Sequence, residues 1–465
     1  MEQLLILMSI IQKNVLNIPF FSQTAFLGIL IIIYRRVVDH VSLEPLDNLK
    51  IRHYAFIGLV MISQFLAFIG LTNEGYGLGS ILKKFVIAMI TVANFIIIYF
   101  VMNMLMRHDY QVKKIVTGNF WAFVLLIGIC LIQIIYVFLG GRLESIVELI
   151  GRHLEFHNVL NPGSFEKVSY AQSTQRVNGL YAESGFLAGV LAIGFAPFIL
   201  SAMKNKVNLF FPNKQYHSWF YYSLFAVLVG VLVLAKTSTG ILAVGVIALL
   251  LLWAVKGRER LNLIILYLIA GALLAVIVMR VPALKNMLLS FTVGKTDSDS
   301  TTMRLLATQA VFITLFKNPL VGVGFGQTSH FNFINAPSAV KKLAEYQLFL
   351  KNKDFPDQSA WGSVLAQFGL VIGIIIIIYV IHLLLDLRKS TNWLQSKKII
   401  DYQYDRAIYD SAVYFIIIYL ILGMLSIQWS FDLFILMFFF FVNFRHYLNR
   451  KITKHLKEGE VYLHD

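Results

Sequence analysis

The most informative segment for the fold of this 465-residue chain is residues 297–326, DSDSTTMRLLATQAVFITLFKNPLVGVGFG. Asp299 or Ser300 can cap a helix, because both side chains accept hydrogen bonds from the free N–H groups of a first turn. A Lys-Asn-Pro sequence ends the helix, and the glycines behind it permit a tight turn. The spacing predicts an amphipathic helix over 301–316, followed by a close-packed glycine turn.

The predicted helix has one apolar face and an arginine in its first turn. The apolar residues recur at helical spacing and are Met303, Leu306, Ala310, Ile313 and Phe316. Arg304 stands where a guanidinium can clamp the anion of a lipid-linked substrate at a membrane surface. The alternative is an amphipathic connector whose arginine is solvated.

The composition is that of a membrane protein. Hydrophobic residues make up 58% of the chain and charged residues 14%, and the mean hydropathy is +0.72. These values exclude an ordinary soluble protein and indicate a polytopic membrane protein. The net charge of +15 is explained by basic loops between helices, so no nucleic-acid partner is expected. The single Cys130 lies in an apolar run, which argues against a disulfide framework.

About eleven apolar runs are long enough to be candidate membrane spans. They cover residues 16–34, 54–71, 85–105, 120–139, 184–203, 218–235, 240–255, 261–279, 360–385, 411–427 and 432–444. The start, MEQLLILMSII, is too short to span and is interpreted as an interfacial or re-entrant piece, and it lacks the features of a cleavable signal peptide. The predicted fold class is an all-α polytopic membrane protein with 10–12 helices in one transmembrane domain, residues 1–465.

Basic residues assign the loops to two sides. The basic set comprises 35–53, 106–114, 204–214, 256–260, 387–398 and 445–457. The positive-inside rule places this set and the C-terminus in the cytoplasm. Two long loops, 140–183 and 280–359, then face outward, where a rigid scaffold can position chemistry. Lys83 and Lys84 conflict with this assignment, because they fall in an outward loop.

The first long loop ends in QRVNGLYAESGFLAGVLA, which holds two charged residues. Arg176 and Glu183 are seven residues apart, a spacing that puts them on one face of a helix unless Gly179 interrupts it. Two interpretations stay open. The pair belongs to a site at the outer mouth of the next span, or it is an interfacial arginine beside a glutamate that caps the span.

Four segments, in this order, resemble the Wzy-type O-antigen and capsule polymerases and ligases. They are RVNGLYAESGFLA from Arg176, AKTSTGIL from Ala235, RLLATQAVFITLFKNPLVGVGFG from Arg304 and DQSAWGSVLAQFGLVIGI from Asp357. The resemblance covers residues 120–385. The chain departs from the family pattern at Ser184, where a proline commonly follows the glutamate.

The resemblance implies a GT-C-like membrane glycosyltransferase. Such an enzyme joins oligosaccharide repeat units carried on undecaprenyl (polyprenyl) pyrophosphate into O-antigen or capsular polysaccharide, on the outer face of the plasma membrane. No cofactor is implied. Membrane lipid surrounds the enzyme, and a chain-length regulator and a flippase are further partners that the resemblance suggests.

The resemblance also suggests which residues bind the donor. Charge develops on pyrophosphate as the sugar leaves, and guanidinium groups stabilise such charge bidentately. Arg176 and Arg304 are the predicted pyrophosphate ligands, with Lys236 as a third cation. The alternative for Lys236, which its position near the interface favours, is a lysine that only reaches the lipid headgroups.

A general base for the acceptor hydroxyl is expected as well. Asp357 is the first candidate, Glu183 the second and His330 the third. The ligase branch of the family carries a histidine where this chain has Asp357 and Gln358, which slightly favours a polymerase. A loop histidine such as His330 is otherwise merely solvated.

A metal site is not predicted. Asp297 and Asp299 form a pair of carboxylates that can share a hard cation, but helix capping explains them without a metal. The sequence shows no P-loop, dinucleotide fingerprint or zinc motif.

Three rival functions stay open. A ligase would transfer the finished glycan to a final acceptor. A flippase or other transporter would show internal repeats, short loops and ionisable residues inside the spans, which the sequence lacks. A glycosyltransferase of the shape-and-division family would carry a Pro/Gly/Ser-rich loop signature, which is not visible.

Overall fold

A computed structural model describes most of the chain. The described residues are 1–11, 13, 22–38, 40, 50–74, 77–157, 166–280, 299–342, 346, 350, 353, 355–424 and 429–461. Throughout these ranges the regular secondary structure is helical, without a strand.

The described residues form seventeen α-helices. They are α1 (Glu2–Ser9), α2 (Gln23–Val37), α3 (Ile51–Gly70), α4 (Leu78–Leu105), α5 (Asp109–Phe138), α6 (Glu144–His153), α7 (Tyr170–Thr174), α8 (Ser184–Val190), α9 (Ala196–Asn205), α10 (Ser218–Leu234), α11 (Ser238–Ala254), α12 (Gly257–Arg280), α13 (Asp299–Lys317), α14 (Thr328–Ile334), α15 (Ala360–Ser396), α16 (Tyr402–Leu422) and α17 (Asp432–Val461). A π-helical turn, Leu191–Phe195, joins α8 to α9. Short 3-10 turns follow α3 at Leu71–Glu74 and α14 at Val340–Lys342.

Five of the described helices are long and apolar enough to cross a membrane. They are α3, α4, α5, the continuous α8–α9 segment and α15, while α10 and α11 are apolar but shorter. Five predicted spans coincide with the first group. The other six fall at least partly on helices, although the beginning of the 16–34 run and part of the 411–427 run lie outside the described residues. The protein is an α-helical membrane protein, and a total of eleven spans remains a prediction.

Ion pairs gather the basic loops at one end of the bundle, which we call the basic end. Lys113 at the start of α5 pairs with Asp401 before α16 at 2.6 Å. Lys451 on α17 pairs with Asp405 on α16 at 2.8 Å. The loops that meet here are among those that the charge pattern assigns to one side.

Both long loops lie at the opposite end, which we call the loop end. Phe156 N–H donates to the Leu180 carbonyl at 3.1 Å within the first long loop. Ala360 N–H, at the end of the second, donates to the Gly423 carbonyl at 2.6 Å. The structure therefore places the basic loops at one end of the bundle and the long loops at the other, as the charge pattern of the sequence predicts.

The N-terminal piece lies inside the bundle. Leu5 and Ile6 of α1 are buried, and α1 packs on α5 at a glycine. A Cβ at Gly118 would lie 2.8 Å from the Cα of Gln3. Close backbone approach at small residues is a usual way for helices to pack in lipid, where dispersion replaces the hydrophobic effect.

The centre of the bundle is tied by aromatic and amide contacts. Phe440 and Phe441 in the first half of α17 are buried, and Phe441 stacks on Phe198 of α9 at 6.1 Å between ring centroids. Asn103 on α4 donates to Asn443 on α17 at 2.9 Å. Such interhelical amide bonds satisfy polar groups that lipid cannot.

The helix predicted over 301–316 exists as α13, but its buried face differs from the predicted one. Met303 and Ala310 are buried as expected, whereas Phe316 is 70% exposed. Ala307 and Thr314, which are absent from the predicted stripe, are fully buried. The small alanines allow α13 to lie close to its neighbours, and this turns Phe316 outward. The helix begins at Asp299, and the side chains of 299–301, with the proposed cap, lie outside the described residues.

Candidate functional site

The second long loop is docked on a broken helix. Helix α15 is interrupted at Gly369, whose φ of 78° and ψ of 169° are not helical. The break frees the Ala366 and Gln367 carbonyls, which accept hydrogen bonds from the N–H groups of Val323 (2.9 Å) and Gly324 (3.1 Å). Irregular backbone within a membrane span is tolerated when protein groups satisfy it. The glycine turn supplies those groups.

Two glycines make this docking possible. Gly322 has a φ of +73°, and a Cβ there would lie 2.6 Å from the Ala366 carbonyl oxygen. A Cβ at Gly369 would lie 2.1 Å from the Leu320 carbonyl oxygen. The glycine turn is as close-packed as the sequence predicts, and its partner is the segment of the resemblance that starts at Asp357.

Polar side chains from three helices hold the tip of the turn. Gln64 on α3 accepts from Phe325 N–H at 2.7 Å, and Gln367 on α15 accepts from Gly326 N–H at 3.2 Å. Lys84 on α4 donates to Gln327 at 2.5 Å. The positive charge of Lys84 argues against placing it in an outward loop, but the structure uses this lysine to hold the glycine turn at the loop end.

Asp357 lies in a hydrogen-bonded cluster beside the turn. Its carboxylate accepts from the Asn332 amide at 2.7 Å, from Ser363 Oγ at 2.6 Å and from the Thr328 hydroxyl. Burial raises the pKa of Asp357, and these three donors oppose the rise. The carboxylate is oriented by α14 and α15, and it holds a proton more readily than an ordinary aspartate.

His330 lies on a different face of α14 from the residues that contact the Asp357 carboxylate. Thr328 and Asn332 are four residues apart and share one face of α14, the face that meets Asp357. His330 lies midway between them in sequence, about 200° around the helix from Thr328. Its ring contacts Phe331, with the centroids 5.6 Å apart.

Arg304 lies on the neighbouring α13. Met303 beside it packs in a cluster with Phe355, two residues before Asp357. Thr314 of the same helix donates to the Asn332 side chain at 3.0 Å, so α13 is coupled to the Asp357 cluster. Arg304 is half-buried, and none of the described residues forms a hydrogen bond or an ion pair with it. The geometry leaves its guanidinium available to an anion.

A second group forms where the first long loop meets the α10–α11 connection. Lys236 is half-buried, with its Nζ 4.5 Å from the centroid of the Phe138 ring. Burial lowers the pKa of Lys236, and the nearby positive charge of Arg176 lowers it further. The structure thus brings two of the three predicted cations within electrostatic range of each other.

Glu183 belongs to this second group. It occupies the N-cap position of α8, but its side chain makes no capping hydrogen bond to the helix. Two residues on, a Cβ at Gly185 would lie 3.6 Å from the Thr239 hydroxyl and 3.7 Å from that of Thr237. The start of α8 therefore packs on the hairpin that carries Lys236, and the capping interpretation of Glu183 does not describe its side chain.

Both groups lie at the loop end, on either side of two aromatic residues that precede α17. Phe431 contacts Tyr181 of the first long loop and Phe186 of α8, beside the second group, at 5.9 and 5.5 Å between centroids. Trp429 contacts Phe325 of the glycine turn at 5.9 Å. We refer to these two groups together as the composite candidate site, with Arg176, Lys236 and Glu183 on the Phe431 side and Arg304 and Asp357 on the Trp429 side.

In the part of the chain that the structure describes, no three His, Cys, Asp or Glu residues are arranged so that they could hold a metal ion. Asp297 of the suggested pair lies outside those residues, as does the side chain of Asp299. Sequence reasoning missed Lys84 and Gln367 as neighbours of the site. A lysine in an outward loop was the available signal for Lys84.

A helical membrane protein with cationic loops at one end is the class that the fold and the site define. Within this class, residues 223–378, about a third of the chain, match the family model described as O-antigen ligase. This part of the chain is similar to the O-antigen ligase domain, and the match is consistent with the O-antigen polymerase and ligase superfamily. The match runs from α10 into α15, which includes Lys236, Arg304 and Asp357, while Arg176 precedes it. No curated protein matches the chain.

The domain supports an O-antigen ligase or polymerase type of membrane enzyme, and the family implies transfer of glycosyl groups.

Proposed function

We propose that this protein is a polysaccharide repeat-unit polymerase. It would take two lipid-linked oligosaccharides at the loop end and join them into O-antigen or capsular polysaccharide. The observation that carries the proposal is the composite site, where Arg176, Lys236 and Arg304 lie at the same end of the bundle as the Asp357 carboxylate. Cations beside an oriented carboxylate are what transfer from a pyrophosphate donor requires.

The reaction assigns a role to each group. The acceptor sugar hydroxyl attacks the anomeric carbon of the donor, and the bond from that carbon to the pyrophosphate oxygen breaks. Arg176 and Lys236 bind the pyrophosphate and stabilise the charge that develops on it, and Arg304 approaches from the other side. Asp357 takes the hydroxyl proton. Its raised pKa makes it a stronger base than an exposed aspartate.

Glu183 and His330 have lesser parts in this proposal. Glu183, at the start of α8, is the second choice for the base and faces the cation side of the site. His330 is the third choice and lies on a different face of α14 from the residues that hold Asp357.

We place the loop end on the outer face of the plasma membrane and the C-terminus in the cytoplasm. The basic loops support this orientation through the positive-inside rule. In the same proposal the eleven predicted spans form a GT-C-like bundle, the substrate carrier is undecaprenyl pyrophosphate, and a chain-length regulator and a flippase act beside the enzyme.

A ligase is the second candidate, because the matching family model is described as O-antigen ligase. It would use the same donor and the same cations but transfer the finished glycan to a final acceptor. Asp357 stands where the ligase branch resembles this chain but carries a histidine, and we therefore favour the polymerase. A flippase receives less support, since it has no use for an oriented carboxylate in a loop.

The deciding experiment compares surface glycan from a strain that lacks the protein with glycan from the same strain after the intact gene is restored. A polymerase predicts that the ladder of chain lengths collapses to a single repeat unit. A ligase predicts an intact ladder retained on the polyprenyl carrier and missing from the final acceptor. Absence of any exported intermediate would contradict both and favour a flippase.

A further inference from the structure

One buried amide holds the loop that carries Arg176. Gln133, near the loop end of α5, is fully buried. Its Oε1 accepts from the N–H groups of Asn178 at 3.1 Å and Gly179 at 2.7 Å. Its Nε2 donates to the Gly179 carbonyl at 2.9 Å and to Asn178 Oδ1 at 3.0 Å. A single side chain from a membrane helix thus binds donors and acceptors of the loop, two residues after Arg176.

Glu155 determines which way this amide points. The Glu155 carboxylate is fully buried and accepts from Gln133 Nε2 at 3.0 Å. It also accepts from Ser169 Oγ at 2.7 Å and from Tyr170 N–H at 3.0 Å. Glu155 Oε1 accepts from both the Ser169 hydroxyl and the Gln133 NH2 group, so it faces the NH2 side of the Gln133 amide and leaves Gln133 Oε1 for the loop N–H groups.

We propose that Glu155 and Gln133 are a positioning pair that seats the Arg176 loop on α5. The pair would hold the Arg176 guanidinium beside Lys236, at the mouth of the candidate site. Neither residue touches the substrate in this assignment. The consequence for transfer rests on the proposed function, whereas the seating of the loop does not.

The chain contains its own reporter for the seating of the loop. Its single cysteine, Cys130, is buried on α5 beneath Gly179. A Cβ at Gly179 would lie 3.5 Å from Cys130 Sγ and 3.0 Å from the side chain of Leu187. If the loop lifts from α5, the Cys130 thiol loses its cover and becomes accessible to a thiol reagent.

The first test labels Cys130 in the purified full-length protein with a fluorescent maleimide. Gln133→Ala is expected to raise the labelling rate about tenfold, the change in a local opening equilibrium expected when a buried hydrogen-bonded group is lost. Asn119→Ala is the matched control. Asn119 is a buried amide on the same helix that donates to the Gly194 carbonyl at 3.2 Å instead of to the loop.

The control variant should label at the wild-type rate. Wild-type labelling in Gln133→Ala would overturn the proposal, because the loop would then be seated without this amide. An equal rise in Gln133→Ala and Asn119→Ala would overturn it too, since the effect would be a general loosening of α5.

The second test exchanges the pair. Gln133→Glu alone places two carboxylates against each other, whereas Gln133→Glu with Glu155→Gln restores one carboxylate and one amide. We expect the single variant to lose polymer and the double variant to regain a measurable part of it. With vesicles containing a lipid-linked donor, Gln133→Ala should raise KM for the donor more than it lowers kcat, because the displaced group binds pyrophosphate. No rescue, together with an unchanged KM, would contradict positioning of Arg176.

The two hypotheses fail separately. If Arg176→Ala leaves transfer intact, the proposed pyrophosphate clamp is lost, yet the labelling of Cys130 still decides whether the pair seats the loop.

Discussion

The two long loops are fixed to the bundle by different means. The glycine turn of the second loop is joined to α15 mainly through backbone groups, with Val323 and Gly324 bonded to carbonyls freed at Gly369. The first loop is joined through side chains, with Gln133 bound to the backbone at Asn178 and Gly179. Backbone docking needs residues without a Cβ, which leave a visible motif. Side-chain docking uses common polar residues, which leave none.

The largest effect is expected from adding a side chain at Gly369, where the backbone of the second loop is bonded to α15. In Gly369→Ala the new Cβ would meet the Leu320 carbonyl oxygen at 2.1 Å, and the backbone conformation, with φ 78° and ψ 169°, adds about 1–3 kcal/mol of strain for a residue other than glycine. We expect the variant to be lost from the membrane or to be inactive, with a detergent-extracted fraction that aggregates on size-exclusion chromatography.

Gly245→Ala in α11 is the control for this prediction, because nothing lies within 4 Å of a Cβ at that position. It should behave as the wild type. A well-folded, active Gly369→Ala would mean that α15 can be continuous and that the break does not hold the second loop.

The next largest effect concerns the cations, one in each loop. Arg176→Ala and Arg304→Ala should each reduce polymer by about 10²-fold or more, since removing one positioned donor to a developing anion typically costs that much. Lysine at either position should not restore activity, because it lacks the bidentate fork. Polymer length and amount on a gel measure the effect, with protein level in the membrane checked by immunoblot.

Arg388→Ala, an exposed arginine near the basic end of α15, is the matched control and should leave polymer unchanged. If both loop variants make long polymer, the cations do not clamp pyrophosphate. If only one does, the clamp belongs to a single loop.

Asp357→Asn should produce a smaller loss that separates proton transfer from structure. The amide keeps the shape but directs an NH2 group toward hydroxyl donors, and it cannot accept a proton. We expect transfer to fall by roughly 10²-fold, the usual contribution of a general base, while the variant remains in the membrane. Thr328→Val, which removes one hydrogen bond to Asp357, should cost less. Equal activity of Asp357→Asn and wild type would exclude Asp357 as the base.

Hydropathy predicted the positions of the helices well, because a span needs a long apolar run and each predicted run falls at least partly on a helix. Pro319 and the glycines that follow it predicted the turn after α13, because their effect on the backbone is also local. The break at Gly369 was not predictable, since a glycine inside an apolar run is usually tolerated within a continuous helix. Phe316 was assigned to the wrong face because periodicity does not show that alanines permit closer packing.

The site was predicted in pieces. Arg176, Lys236, Arg304 and Asp357 all lie at the loop end, as the order of the motifs suggests. The partners that hold them come from elsewhere in the sequence, and single residues such as Gln133 and Glu155 carry no signal of pairing across 22 residues. Their roles in catalysis remain predictions.

The smallest effect is expected in the pH dependence of stability, which tests the contact between Glu155 and Gln133 under the first loop. Burial raises the pKa of Glu155 to about 7, although Ser169, the Tyr170 N–H group and Gln133 oppose the rise. The folded protein therefore holds the proton more tightly than the unfolded chain. Stability from this group is fully present below about pH 4.3, the ordinary value for glutamate, and is lost as the pH rises through about 7.

That loss amounts to no more than about 4 kcal/mol, and Glu155→Gln should abolish it. Melting temperatures in one detergent, measured from pH 4.5 to 7.5, should decline by a few degrees more in the wild type than in Glu155→Gln. Glu144→Gln alters an exposed carboxylate of the same loop and should follow the wild-type curve. Parallel curves for the wild type and Glu155→Gln would show that the Gln133 side chain holds the loop without a titrating partner, and the attachments of the two loops would then differ only in whether backbone or amide makes the contact.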